Sequence, residues 1–136
     1  MKKILPCVIG LGYVGLPIFL RLQKKFKSIG FDINENRINN LNQKKDQNKE
    51  YISEDLKKKN ESIFTSKKSL IKNSNFYIIT VQTPIFKNNK PNLKFLEDAT
   101  NLVARNIKKG DIVFYESTVY PGVTKKMTII IEKIRN

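Results

Sequence analysis

Short apolar runs alternate with longer segments in which apolar residues recur at helical spacing. Five of the runs have the length and composition of buried strands, at residues 4–9, 28–32, 63–65, 75–81 and 111–115. Helical segments are predicted between and after them. Alternation of strands and helices is typical of a parallel sheet covered by helices. The pattern therefore predicts an α/β fold with a doubly wound, mainly parallel sheet.

The helical segments differ in how much apolar surface they offer. The first, residues 13–26, has a stripe that we expect to face the core, formed by Val14, Ile18, Leu22 and Phe26. The second, residues 35–44, has only Ile38 and Leu41 as inward residues and should lie at the periphery. A third helix is expected to start near Asn92. The last has one apolar face, consisting of Val123, Met127, Ile130, Ile131 and Ile134.

Two details of the chain path are less regular. Pro6 has no N–H group and is unfavourable in a central strand, so regular pairing is expected to begin at Cys7, a small core residue. Residues 43–61 are rich in lysine, asparagine and acidic side chains. They predict a surface excursion with room for a short helix.

Composition limits the class of protein. With 136 residues and 40% hydrophobic content, the chain suits one domain with one core. No apolar run approaches the roughly 20 residues that span a bilayer, and a signal peptide is not apparent, so a cytoplasmic location without membrane association is expected. One cysteine and no histidine make a metal site an unexpected feature.

Three glycines after the first strand carry the clearest chemical signal. Gly10, Gly12 and Gly15 have the Gly-x-Gly-x-x-Gly spacing between a strand and a helix. The first permits a tight turn, the second lets backbone N–H groups reach a pyrophosphate, and the third lets the helix pack close to the strand. The helix N-terminus favours phosphate without a charged side chain. This motif predicts a Rossmann-like dinucleotide-binding domain.

Asp32 ends the second strand roughly 20 residues beyond the glycines, where a carboxylate can bind the adenosine ribose hydroxyls. A carboxylate there would repel a ribose phosphate, which favours NAD over NADP; a Rossmann-like domain that uses NADP or FAD is the alternative. Asp32 could instead only cap the following helix.

Three other residues are candidates for contact with the same ligand. Arg37 lies close enough in sequence to Asp32 to reach the ribose or a phosphate, although a solvated surface arginine is the alternative. Thr83 and Pro84 follow the apolar run at 75–81. Loops at the carboxyl ends of parallel strands line the ligand crevice, so Thr83 would face the cofactor and Pro84 would rigidify the turn, unless this segment is a plain turn.

The net charge of +14, from 26 basic and 12 acidic residues, admits a second interpretation. A basic, non-catalytic module that binds nucleic acid would have such a charge. However, the lysines are scattered along the chain and mixed with asparagine, which favours a solvated surface. We therefore expect no nucleic-acid partner, and the positive field would help to attract anionic ligands such as dinucleotides.

Four separated blocks together resemble the UDP-glucose/GDP-mannose dehydrogenase family, at residues 8–17, 29–38, 78–84 and 115–122. The resemblance implies an NAD-dependent enzyme that oxidises the primary alcohol of a nucleotide sugar to a carboxylate in two successive hydride transfers. The sequence of the last block is more similar to that of the branch acting on UDP-N-acetylhexosamines, which supplies uronic acids for surface polysaccharides. Gln82 departs from the family, in which proline is commoner at this position.

The resemblance also implies roles for individual residues. Tyr13 and Val14 would contact the pyrophosphate side of NAD, and Asp32 and Arg37 the adenosine ribose. Thr83 and Thr118 would lie near the nicotinamide, where Thr118 would also have a supporting catalytic role; the match at Glu116 is less secure.

By the same resemblance, residues 1–136 form the N-terminal NAD-binding domain. The family's catalytic cysteine and lysine, its central dimerisation helix and its C-terminal UDP-sugar-binding domain are not found in these residues. Cys7 cannot replace the catalytic cysteine, because it belongs to the buried first strand. We expect the chain to bind NAD without turnover, and the full-length relatives to be homodimers that bind the UDP-sugar with their C-terminal half.

Overall fold

Five strands form one parallel sheet in the computed structural model, which describes residues 2–117 and 119–136. The strands are β1 (Pro6–Ile9), β2 (Ile29–Phe31), β3 (Ile63–Thr65), β4 (Phe76–Ile79) and β5 (Ile112–Tyr115). Their order in the sheet is β3-β2-β1-β4-β5. The chain thus builds outward from β1 to β3, then crosses back to β4 on the other side of β1. This reversal confirms the predicted doubly wound sheet.

Helices cover both faces of the sheet, because parallel strands need crossover connections. One face packs against α1 and α2 through a core that includes Val8, Phe19 and Ile38. The other face, which receives Cys7 and Ile9, packs against the second pair of helices. The helices are α1 (Gly15–Leu22), α2 (Glu35–Asn42), α3 (Lys94–Ala104) and α4 (Val123–Arg135), with a 3₁₀ helix at Lys68–Asn73.

The first strand and helix differ from the sequence-based expectation. Pro6 already belongs to β1, where it lies opposite Phe76. It is the first residue of the strand, a position at which the missing N–H is tolerated. The predicted start of regular pairing at Cys7 is therefore wrong by one residue.

The predicted inward stripe of α1 is also wrong in part. Leu16, Phe19 and Leu20 are the buried residues, whereas Val14 precedes the helix and is 49% exposed. The reason is the glycine turn, which occupies the residues before Gly15 and sets the rotation of the helix against the sheet. Ile18, Leu22 and Phe26 are only partly buried.

The remaining differences lie at the periphery. Residues 43–62 contain turns and no helix, and the 3₁₀ helix at Lys68–Asn73 was not predicted. In α2, Ile38 and Leu41 are buried as predicted. In α4, Ile134 is exposed although it was predicted to share the inward face. Among residues 2–117 and 119–136, no helix has the length and apolar character required to cross a membrane.

Candidate functional site

A crevice of about 1120 Å³ opens at the carboxyl ends of the strands, where the sheet order reverses between β1 and β4. Ligands of doubly wound sheets bind at this reversal point. The volume exceeds the ~300–1,000 Å³ usual for small-molecule pockets, as suits an elongated ligand. Strand-end loops and α3 line it, through residues that include 10–14, 32–34, 80–84, Glu116, Ser117, Leu102 and Arg105.

The glycine turn between β1 and α1 is built by close backbone packing. Gly10 has a φ of +100°, a backbone conformation that residues other than glycine rarely adopt. A Cβ on Gly15 would overlap the Gly10 carbonyl oxygen and lie 2.5 Å from the Thr80 hydroxyl. These contacts confirm the predicted reasons for both glycines in the turn.

Gly12 is different, because a Cβ built on it would have no heavy atom within 4 Å. The packing of the protein therefore does not require glycine at this position. The open space borders the crevice, beside Tyr13 and Val14, whose side chains are 60% and 49% exposed. Directly after them α1 begins, and the first N–H groups of a helix have no partner within it. A pyrophosphate fits this position on grounds of both space and charge.

Asp32 is joined to the same turn. Its Oδ2 accepts the Leu11 N–H at 2.8 Å, and its Oδ1 accepts the Asn34 N–H at 2.9 Å. Each carboxylate oxygen keeps a second lone pair that can accept a ribose hydroxyl. The capping alternative is not what the structure has, because Asn34 caps α2 by accepting the Arg37 N–H at 3.1 Å.

Arg37 is buried, with a side chain only 7% exposed, so the solvated surface alternative is wrong. Its Nε–H donates to the Leu11 carbonyl at 2.8 Å, and its Nη1 donates to Asp46 at 2.8 Å. The Nη2 group is buried and has no hydrogen-bond partner among the described residues. Arg37 is not among the residues that line the crevice, so its guanidinium supports the turn from within the fold, through the Leu11 carbonyl.

The loops after β4 and β5 complete the crevice. Thr83 and Pro84 line it, as the loop position predicted, and the Pro84 carbonyl accepts the Asn92 N–H at 2.6 Å. Glu116 and Ser117 line it from β5, where the Ser117 hydroxyl donates to the Val81 carbonyl at 2.8 Å. Thr118 lies outside the described residues.

Thr80 is a site residue that sequence reasoning missed. Its hydroxyl is buried and lies 2.6 Å from the Gly10 carbonyl oxygen and 3.0 Å from that of Ile9. It therefore ties the end of β4 to the glycine turn. The available signal was a polar residue within the apolar run of the block 78–84, directly after the last residue of β4.

Cys7 is confirmed as a core residue. It is fully buried in β1, between Ile29 of β2 and Tyr77 of β4. Burial raises the pKa of its thiol far above the usual range. Since the thiolate is the nucleophile, burial and the raised pKa both disfavour reaction of Cys7 in the folded chain.

The charged residues that line the crevice are of both signs. Lys68 and Arg105 are basic, whereas Asp32, Asp98 and Glu116 are acidic. The excess positive charge of the chain is thus not concentrated in this crevice. Such a balance suits a ligand with both an anionic pyrophosphate and neutral, hydroxyl-rich sugars better than it suits a nucleic-acid backbone.

Comparison with known proteins agrees with this geometry. The chain is 42% identical over 134 residues to a UDP-N-acetyl-D-glucosamine 6-dehydrogenase of Pseudomonas aeruginosa, covering 98% of this chain and 32% of that protein. It is 46% identical over 119 residues to the enzyme of that name from Salmonella typhi, covering 88% and 28%. The structure of a UDP-D-ManNAc dehydrogenase from Pyrococcus horikoshii superposes with a TM-score of 0.90 at 32% identity, covering 97% and 32%.

The chain spans about a third of the length of these relatives. The sequence profile of the UDP-glucose/GDP-mannose dehydrogenase family, NAD binding domain, matches residues 3–136. The fold, the glycine turn, Asp32 and this match all agree with one another. The chain therefore belongs to the UDP-glucose/GDP-mannose dehydrogenase family, of which it is the NAD-binding domain.

Proposed function

We propose that the chain holds NAD in the crevice for the oxidation of a UDP-N-acetylhexosamine at its primary alcohol, a step towards surface polysaccharides. The observation that carries the proposal is the bond between Asp32 and the Leu11 N–H. It joins the ribose acceptor and the phosphate-binding turn in one rigid unit. When bound, NAD supplies the hydride acceptor for the reaction. The similarity to UDP-N-acetyl-D-glucosamine 6-dehydrogenases supports this substrate class.

In this proposal each crevice residue contacts a defined part of NAD. Backbone N–H groups around Gly12, Tyr13 and Val14 bind the pyrophosphate. Asp32 accepts hydrogen bonds from the adenosine ribose, and Arg37 supports the same end of the site through its bond to the Leu11 carbonyl. Thr83 lies towards the nicotinamide, and the role there that the sequence resemblance implies for Thr118 stays a prediction.

Asp32 also gives the site its preference between cofactors. A phosphate on the adenosine ribose would bring a second negative charge against this carboxylate, which is already fixed by two backbone N–H groups. Like charges brought together repel each other, and a carboxylate fixed by two hydrogen bonds cannot rotate away from the phosphate. The site therefore favours NAD over NADP.

We also propose that residues 1–136 bind NAD but do not turn over a nucleotide sugar alone. Oxidation of an aldehyde by hydride transfer requires that a nucleophile first add to it, and a thiolate is suited to that role. The buried Cys7 cannot act in this way. In this proposal we assign three features to the two thirds of the relatives' length that this chain does not cover: the catalytic thiol, the UDP-sugar site and the dimer contacts.

Calorimetric titration with NAD and NADP tests the proposal, using Asp32→Asn and the matched control Glu35→Gln. Both variants remove one negative charge. Glu35 lies three residues from Asp32, on the exposed surface of α2. We expect Asp32→Asn to weaken NAD binding at least about tenfold, since a hydrogen bond to a charged group contributes about 1.5–3 kcal/mol. Glu35→Gln should bind like the wild type.

Two results would contradict the proposal. Equal NAD affinity in Asp32→Asn and the wild type would remove Asp32 from the site. Sustained NADH formation by the isolated chain with NAD and UDP-N-acetylglucosamine would show that the chain is catalytically sufficient. Both variants must retain the wild-type circular dichroism spectrum for the comparison to count.

A further inference from the structure

A buried carboxylate outside the four sequence blocks, Asp46, holds the guanidinium of Arg37. The Asp46 side chain has no exposed surface, and its Oδ1 accepts Nη1 of Arg37 at 2.8 Å. Asp46 lies nine residues after Arg37, in the turns that follow α2. Nothing in the glycine motif or in the position of Asp32 requires a residue here.

Asp46 also organises its own segment. Its two oxygens accept the backbone N–H groups of Asn48 at 3.1 Å, Glu50 at 2.9 Å and Tyr51 at 3.1 Å. Lys44 and Lys49, on either side of Asp46, have φ values of 59° and 55°, which residues other than glycine adopt at an energetic cost. The segment 44–51 thus has local backbone strain, and its N–H groups donate to the Asp46 carboxylate.

Arg37 transmits this order to the cofactor site. The guanidinium is planar and rigid, so fixing two of its nitrogens fixes the third. Nε is held by the Leu11 carbonyl and Nη1 by Asp46, which leaves the direction of the buried Nη2 no freedom. Leu11 is held on both sides, because its N–H is bound by Asp32. Asp46, Arg37, Leu11 and Asp32 therefore form one connected set, which we call the Leu11 clamp.

Burial alone raises the pKa of Asp46, but hydrogen bonds from Arg37 and from three backbone N–H groups outweigh it. The pKa therefore lies below its usual range. The carboxylate is charged whenever the chain is folded at neutral pH. A neutral side chain at this position would leave the Arg37 cation without its buried counter-charge.

We propose that Asp46 is a positioning residue for NAD, acting through Arg37. It fixes the guanidinium that holds the Leu11 carbonyl, and so keeps the backbone of the phosphate-binding turn in place. This inference rests on the proposed function, since it assigns Asp46 a part in the same site. It also gives the segment 44–51 a role in cofactor affinity, although that segment does not line the crevice.

The test uses Asp46→Asn and a matched control, Asp55→Asn. Asp55 lies in the same excursion and also caps a turn, with Oδ2 accepting the Ile52 N–H at 3.1 Å, but it is exposed and does not bond Arg37. NAD and ADP-ribose affinities are measured by calorimetry on the full chain. Asp46→Asn should weaken both ligands by a similar factor of about ten, the effect of losing one charged hydrogen bond. Asp55→Asn should change either by less than about twofold.

A double-mutant cycle separates positioning from loss of structure. In the background of Arg37→Gln, Asp46→Asn should produce no further loss of NAD affinity, because Asp46 acts through the guanidinium. Additive losses, or an equal loss in Asp55→Asn, would overturn the inference. So would a loss confined to NAD with ADP-ribose unaffected, since ADP-ribose also contains the pyrophosphate that the turn binds.

The outcomes also distinguish this inference from the proposed function. If the wild type and Asp55→Asn bind NAD and Asp46→Asn binds it equally well, only the inference fails. If the folded wild type does not bind NAD, the proposed function fails and the inference fails with it. Should Asp46→Asn not fold, Asp46→Ser keeps a short acceptor for the segment without the charge. The same tenfold loss is then expected, and wild-type affinity would overturn the inference.

Discussion

Replacing Gly12 or Gly15 with alanine separates the cofactor role of the turn from its packing role. A Cβ on Gly12 meets no heavy atom within 4 Å, and the backbone φ is outside the left-handed region. At such positions Gly→Ala stabilises a protein by about 0.4–1 kcal/mol, because the unfolded chain loses freedom. Gly12→Ala is therefore expected to have a free energy of unfolding equal to or slightly above that of the wild type.

In the proposed binding mode, the same Cβ occupies the space through which the pyrophosphate approaches the backbone N–H groups. We expect NAD affinity to fall at least tenfold, or about 1.4 kcal/mol, in a variant that is no less stable. Gly15→Ala should instead lower the free energy of unfolding. Its Cβ overlaps the Gly10 carbonyl oxygen and crowds the Thr80 hydroxyl, so α1 must move. Overpacking of this kind costs about 1–3 kcal/mol or more.

Urea denaturation gives the stability of each variant, and calorimetric titration gives its NAD affinity. Wild-type NAD affinity in Gly12→Ala would refute the assignment of the open space to the pyrophosphate. A loss of stability in Gly12→Ala equal to that in Gly15→Ala would refute the packing argument itself.

Three further predictions concern the surroundings of the turn. Thr80→Val should lower the free energy of unfolding by about 1–3 kcal/mol in urea, because it removes a buried hydrogen bond to the turn, whereas Thr80→Ser should retain most of the stability. Cys7 should react with a thiol reagent at pH 8 only as fast as the chain unfolds, since burial raises its pKa; immediate stoichiometric labelling would contradict its placement. The stability advantage of the wild type over Asp46→Asn should be fully present above pH ~4, the ordinary aspartate range, and be lost as pH falls through the lowered pKa of Asp46. An advantage that persists at still lower pH would contradict this linkage.

The features that could be predicted from the sequence are those encoded by neighbouring residues. The glycine spacing and the carboxylate at the end of β2 act within one strand-turn-helix-strand unit, so Gly10, Gly15 and Asp32 are placed as expected. The alternation of apolar runs predicted the parallel sheet for the same local reason. The loop at Thr83 and Pro84 followed from the rule that strand ends meet at one edge.

The features that were missed depend on particular tertiary contacts, which the pattern of apolar and polar residues does not specify. The sequence left open whether Arg37 contacts the ligand or is a solvated surface residue, and its burial goes with its bonds to Leu11 and Asp46. Thr80 becomes part of the glycine turn because β4 pairs with β1, across about half the chain. The inward face of α1 was set by the contact of Gly15 with Gly10, which the helical period alone cannot specify.

Sequence similarity and structure place the chain among NAD-binding domains, whereas the individual contacts with NAD remain predictions. They are most directly tested by NMR titration of the isotopically labelled chain with NAD. We expect the largest backbone amide shifts at residues 12–14 and at Ile33, beside Asp32, and we expect these shifts to saturate together. Saturable shifts confined to another surface, such as the small pocket at Lys90 and Lys94, would contradict the central claim.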